Sequence, residues 1–153
     1  MGLDMYLNAK KHVSNYSWTQ PENKKAHAAL IKAAGLKKGD LAEGSAEVSF
    51  SVGYWRKANQ IHNWFVQNCQ DGEDDCGEHS VSRESLSILR QLCTEALETG
   101  TTSLLPTQGG FFFGSTNYDE YYKNDLKSTI KQLDNVLDNP KFEDWGFYYR
   151  SSW

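Results

Sequence analysis

The sequence has no apolar run near the ~20 residues that span a bilayer, no excess of basic residues and no paired set of cysteines. Each absence excludes something. The first removes a membrane-spanning helix as an expectation. The formal net charge of −4 argues against bulk electrostatic capture of nucleic acid. The opening Met1-Gly2-Leu3-Asp4-Met5-Tyr6 has an early acid and no basic-then-apolar signal segment. It also lacks the Ser or Thr at position 6 that a myristoylation signal uses. Cys69, Cys76 and Cys93 are an odd, sparse set, which reads as reduced thiols in a cytoplasm.

Several familiar chemistries are also missing. Cys76-Gly77-Glu78-His79 offers one Cys-x2-His pair, whereas a structural zinc site wants four ligands, usually as two close pairs. Asp71-Gly72-Glu73-Asp74-Asp75 lacks the alternating ligand spacing of a calcium loop and reads as a solvated acidic loop. There is no P-loop, dinucleotide fingerprint, Ser-His-Asp order or deaminase zinc signature. The expectation is no metal and no resident cofactor.

What the sequence does have is aromatic rings: five Trp, eight Tyr and seven Phe in 153 residues. Hydrophobic residues at 39% are too many for a disordered chain, and the length suits one domain over 1–153. Leu3, Met5, Leu7 and Ala9 alternate with polar residues, the period of a strand. Pro21 suits a helix first turn, and Gly35 stops the Ala-rich stretch that follows. A second alternation over 46–54 puts Val48, Phe50, Val52 and Tyr54 inward, and a helix over 55–70 follows. Ser82 caps a third helix with Val81 and Leu86 as its hydrophobic staple, and Gly100 ends it. Phe111-Phe112-Phe113 between glycines reads as a buried strand. Thr116 caps a fourth helix, with Asp119 three residues on, and Asn139-Pro140 stops it. Residues 145–149 alternate as a last strand, which would pair with the first. The fold class expected is α+β, or two-layer α/β, with about four short strands in one sheet and about four helices.

Two segments are candidates for binding. In the first, Arg56 and Lys57 fall at the start of the second helix, where the dipole favours anions. A local rule broken in this way points to function, here an anion held by both cations and free N–H groups. The plainer reading is that both side chains reach solvent or pair with the acidic loop. Trp55 and His62 share the helix stripe with Ala58, Ile61 and Phe65, and a His there is commonly a hydrogen-bonded core residue. Trp64 projects off the stripe, where it would stack on a planar ring, cover a partner or meet a neighbouring element. In the second segment, Gln108, Gly109 and Gly110 let backbone approach a ligand, and Ser115 and Thr116 bring hydroxyls to another helix start. A tight turn beside a buried strand would explain the same glycines. Glu120 and Tyr121 leave the core stripe and are free to meet a ligand.

These segments carry a resemblance. Together with Met1-Gly2-Leu3-Asp4-Met5-Tyr6-Leu7, the stretches Gly53-Tyr54-Trp55-Arg56-Lys57-Ala58-Asn59, His62-x-Trp64-Phe65-Val66, Leu104-Leu105-Pro106-Thr107 and Gly110-Phe111-Phe112-Phe113-Gly114-Ser115-Thr116-x-Tyr118-Asp119-Glu120 look like a family of small proteins of tailed phages and their bacterial hosts. The resemblance brings no established activity with it. It implies a phage setting, in which small accessory proteins counter host defence and some capture nucleotide-derived signals. The expected function is sequestration of an anionic, ring-bearing small molecule, with a homo-oligomer building the pocket. An enzyme acting on a nucleotide or phosphorylated substrate, with His62 and Glu120 as acid/base, is the alternative. A protein–protein inhibitor presenting Trp18, Trp64 or Trp153 is another.

Overall fold

The computed structural model describes residues 2–41 and 44–153. Among them the order is β1 (Asp4–Ser14), α1 (Pro21–Ala33), β2 (Ser45–Arg56), α2 (Asn59–Cys69), β3 (Glu78–Val81), α3 (Arg83–Thr99), α4 (Glu120–Leu137) and β4 (Gly146–Ser152). The strands form one antiparallel sheet in the order β2-β1-β4-β3. The first and last strands are therefore neighbours, and the fold is α+β. No helix among the described residues is long and apolar enough to cross a membrane.

The chain divides into two compact units, residues 1–9 with 50–153, and residues 10–49. In the larger unit Leu3, Met5, Leu7 and Ala9 are fully buried, as their period of two requires. They join Ile61 and Phe65 of α2, Leu86, Leu89 and Cys93 of α3, Leu126 and Leu133 of α4, and Phe147 and Tyr149 of β4 in one core. Phe65 and Tyr149 stack face to face at 3.9 Å, which fastens α2 to the sheet. In the smaller unit α1 starts with Pro21 and stops at Gly35 (φ 71°), and buries only His27.

The local punctuation of α3 follows the sequence. The Ser82 hydroxyl accepts from the Ser85 N–H, and Gly100 takes the left-handed conformation (φ 72°). Four expectations are corrected. First, Phe111–Phe113 is a turn and not a buried strand: Phe113 N–H donates to Gly110 C=O, and Phe111 is 96% exposed. Three residues between glycines have no neighbouring strand to satisfy their backbone, so a turn closes on itself instead. The fourth strand is β3, which pairs antiparallel with β4 through Glu78↔Arg150 to Val81↔Phe147.

Second, the inward residues at the end of β2 are Gly53 and Trp55, whereas Phe50 and Tyr54 are exposed. Trp55 sets this parity: its indole N–H donates to Thr129 Oγ1 at 2.8 Å inside the core. A Cβ on Gly53 would lie 2.9 Å from that indole, so only glycine fits there. Third, α2 begins at Asn59 and not at residue 55, because β2 runs on to Arg56 and Lys57 turns the chain with φ 58°. Fourth, Asp119 is the N-cap of α4 in place of Thr116: its carboxylate accepts from the Tyr121 and Tyr122 N–H groups.

Candidate functional site

The β2-to-α2 junction and the glycine-rich loop come together through one buried side chain. Asn59 Nδ2 donates to the carbonyls of Phe113 (3.0 Å) and Ser115 (2.8 Å), and its Oδ1 accepts from the Gln108 N–H (2.9 Å). Leu3 adds a second clasp. Its carbonyl accepts from Lys57 N–H at 2.8 Å, and its N–H donates to Phe112 C=O at 3.0 Å. Gly114, at φ 86°, passes so close to Lys57 that a Cβ would sit 3.1 Å from the lysine Cβ. Both the conformation and the approach call for glycine.

Between these pieces and the first turns of α4 lies a cleft of about 280 Å³. Arg56 and Lys57 line it from the strand exit, Gln60 from α2, Thr107, Gly114, Ser115, Asn117 and Asp119 from the loop, and Tyr121, Tyr122 and Asp125 from α4. Its charges are not symmetrical in their commitments. Among the described residues no carboxylate lies within ion-pair distance of Arg56 or Lys57. Asp119 is used by the helix cap. Asp125 Oδ2 accepts from Gln60 Nε2 at 3.0 Å. Desolvation raises the Asp125 carboxyl above its ordinary value, and the Gln60 hydrogen bond acts against that rise. Lys57 holds a left-handed backbone that a non-glycine residue adopts at a cost, as residues at binding sites often do. The Tyr121 ring is 80% exposed at the cleft, while the Tyr122 hydroxyl donates to Leu105 C=O in the core. Burial pushes the Tyr122 phenol up to about 12.

Of the residues expected at a site, the cleft gathers Arg56, Lys57 and Ser115. The two cations precede α2 and stand beside the cleft on the strand exit. Trp55 is a core residue on Thr129. Trp64 is 7% exposed and packs edge-on against Phe65 at 5.3 Å. It borders a separate hollow of about 180 Å³ with Leu104, Leu105 and Pro106. The helical projection put it off the stripe because it counted only the sheet side, whereas the 104–106 segment covers that flank.

His62 is 1% exposed and lines another hollow, of about 150 Å³, together with Gln108. Its Nε2 lies 2.9 Å from Asp74 and its Nδ1 lies 2.7 Å from the Tyr149 hydroxyl, so both ring nitrogens have hydrogen-bond partners. Trp153 Nε1 donates to the other Asp74 oxygen at 3.2 Å. Burial raises the Tyr149 phenol well above its usual value. Gly109 is exposed, and Gly110 turns tightly over the Phe113 ring. Thr116 is exposed and accepts through its carbonyl from Thr107 Oγ1. Glu120 pairs with Lys123 at 2.9 Å on the surface, and that partner holds its carboxyl below the ordinary value. Glu120 does not line the cleft.

Gln60 and Asp125 are among the cleft residues not expected as site groups, with Thr107, Gly114, Asn117, Asp119 and Tyr122. From the sequence, Asp125 reads as an acid/base candidate better explained as a helix-surface charge. The one available signal was its register on α4, one position before the core residue Leu126 and so at the edge of the buried stripe. Among the described residues no three His, Cys, Asp or Glu side chains converge as a metal site. His79 binds Asp75 at 2.8 Å. No family model, curated protein or solved structure matches this chain.

Proposed function

We propose that the protein binds an anionic, ring-bearing small molecule of nucleotide size in the Arg56–Lys57 cleft and holds it without converting it. The observation that carries this reading is a pair of cations with no ion-pair partner among the described residues, set beside Gly114 and an exposed tyrosine ring. A phosphate would take the guanidinium and the ammonium. A planar ring would stack on Tyr121. The resemblance to phage proteins favours a nucleotide-derived host defence signal as the occupant, and sequestration as the role.

The enzymatic alternative draws less support. His62 is sealed between Tyr149 and Asp74, and Glu120 is tied to Lys123 in solvent. Neither borders the cleft. The test is a thermal-shift and calorimetric screen against nucleotides and cyclic dinucleotides, followed by denaturation and mass analysis of the ligand. We expect a stabilising ligand that is recovered intact. Arg56→Ala or Lys57→Ala should each weaken its binding by about 10- to 100-fold, the worth of a charge-assisted hydrogen bond. Unchanged affinity in both variants, or conversion of the ligand, would overturn the proposal.

A further inference from the structure

The cleft holds an acceptor as well as two cations, and the acceptor is only half used. Asp125 receives one hydrogen bond, from Gln60 Nε2 to Oδ2 at 3.0 Å. Among the described residues its Oδ1 takes no hydrogen bond, and it is not sealed from solvent. Asp125 lines the same hollow as Arg56, Lys57 and Tyr121. Gln60 is 2% exposed, so the group that orients Asp125 is fixed in the core. A carboxylate partly removed from water, with one oxygen held and one free, costs stability unless a donor meets it. A ribose diol is gripped best by both oxygens of a carboxylate, and here one is occupied. A single N–H on a ring carried over Tyr121 matches one free oxygen.

We infer that Asp125, held by Gln60, is a specificity-determining acceptor, and that the cleft selects anionic ligands whose ring bears an amino N–H over those whose ring carries only a hydrogen in its place. This rests on the binding reading above and narrows its ligand class. Its test uses matched pairs on the unaltered protein: adenosine against purine riboside 5′-monophosphate, and cytidine against 2-pyrimidinone riboside 5′-monophosphate, by calorimetry. The amino member of each pair should bind about 10-fold or more tightly, the usual scale for leaving a desolvated polar group unpaired. The 2′-deoxy forms should bind as their ribose parents do. Asp125→Asn, which keeps size and a partner for Gln60, should shrink the preference towards onefold while retaining the phosphate dependence on Arg56. Equal binding within both pairs, or a loss confined to the deoxy forms, overturns this inference and leaves the anion site standing. No binding by any member, with Arg56→Ala silent, fails the anion site itself.

Discussion

Asn59 does the work of a short cross-link. It satisfies Gln108 N–H and the carbonyls of Phe113 and Ser115 from a position 1% exposed. Replacing it by Leu leaves three loop groups to find water. We expect Asn59→Leu to cost about 2–4 kcal/mol, at roughly 1 kcal/mol per hydrogen bond, and to speed amide exchange over 106–116 before it affects α3. Denaturant unfolding and exchange mass spectrometry measure the two effects. Asp125 makes an opposite prediction. Its folded carboxyl is raised by desolvation, so at neutral pH the folded state carries an ionised group it would rather protonate. The destabilisation is present above the folded value, fades as pH falls through it, and is gone below the unfolded value. Asp125→Asn should therefore raise Tm at pH 7 and confer less as pH approaches 3. A Tm gain that is flat with pH would sink this account. A site residue that destabilises the empty protein is the expected signature of function.

Among the elements, α4 links the cleft to the core. Its N-cap Asp119 lines the cleft, its first turn presents Tyr121, and its inner stripe contributes Leu126 and Leu133. Asp119→Ala should cost about 1 kcal/mol, within the 0.5–2 kcal/mol range of cap deletions. The same change should fray the turn carrying Tyr121 and weaken ligand binding more than it lowers Tm, which calorimetry and thermal unfolding together decide. β2 is an edge strand of the sheet, and Gln132 Oε1 of α4 accepts from its Tyr54 N–H. A helix side chain thus uses one of the donors that an open edge would offer to another chain.

At the scale of the molecule, the two compact units differ in what holds them. The larger has a continuous apolar core, and Phe65→Ala within it should cost about 3–5 kcal/mol, read from denaturant unfolding. Cys93, fully buried there, has its thiol pushed up to about 12, and burial puts Cys69 at about 11. Neither should take up iodoacetamide at pH 7.5 without unfolding, which peptide mass mapping would show. In the smaller unit, His27 is 1% exposed, and among the described residues neither ring nitrogen has a hydrogen-bond partner. Replacing such a group by an apolar one of similar size is neutral or stabilising, so His27→Leu should leave Tm unchanged or raise it. The cleft is near the lower end of ligand-pocket volumes. That size is consistent with the proposal that a second copy completes the enclosure, and sedimentation with and without ligand tests it.

Features written in consecutive residues were legible without coordinates. The Leu3-Met5-Leu7-Ala9 alternation, the Ser82 cap, the Gly100 stop and the pairing of Arg56 with Lys57 depend on neighbours a few positions away. The same local rules misread Phe111–Phe113, because an apolar run becomes a strand only if another strand is beside it. They missed Glu78–Val81, whose polar residues become a strand through pairing with Phe147–Arg150. Trp64 and Asp125 show the limit most clearly. One is covered by a segment 40 residues further on, and the other acquires its desolvation and its Gln60 partner across 65 positions. Burial and dielectric are properties of what surrounds a side chain, and those surroundings are assembled only when distant parts of the chain pack together.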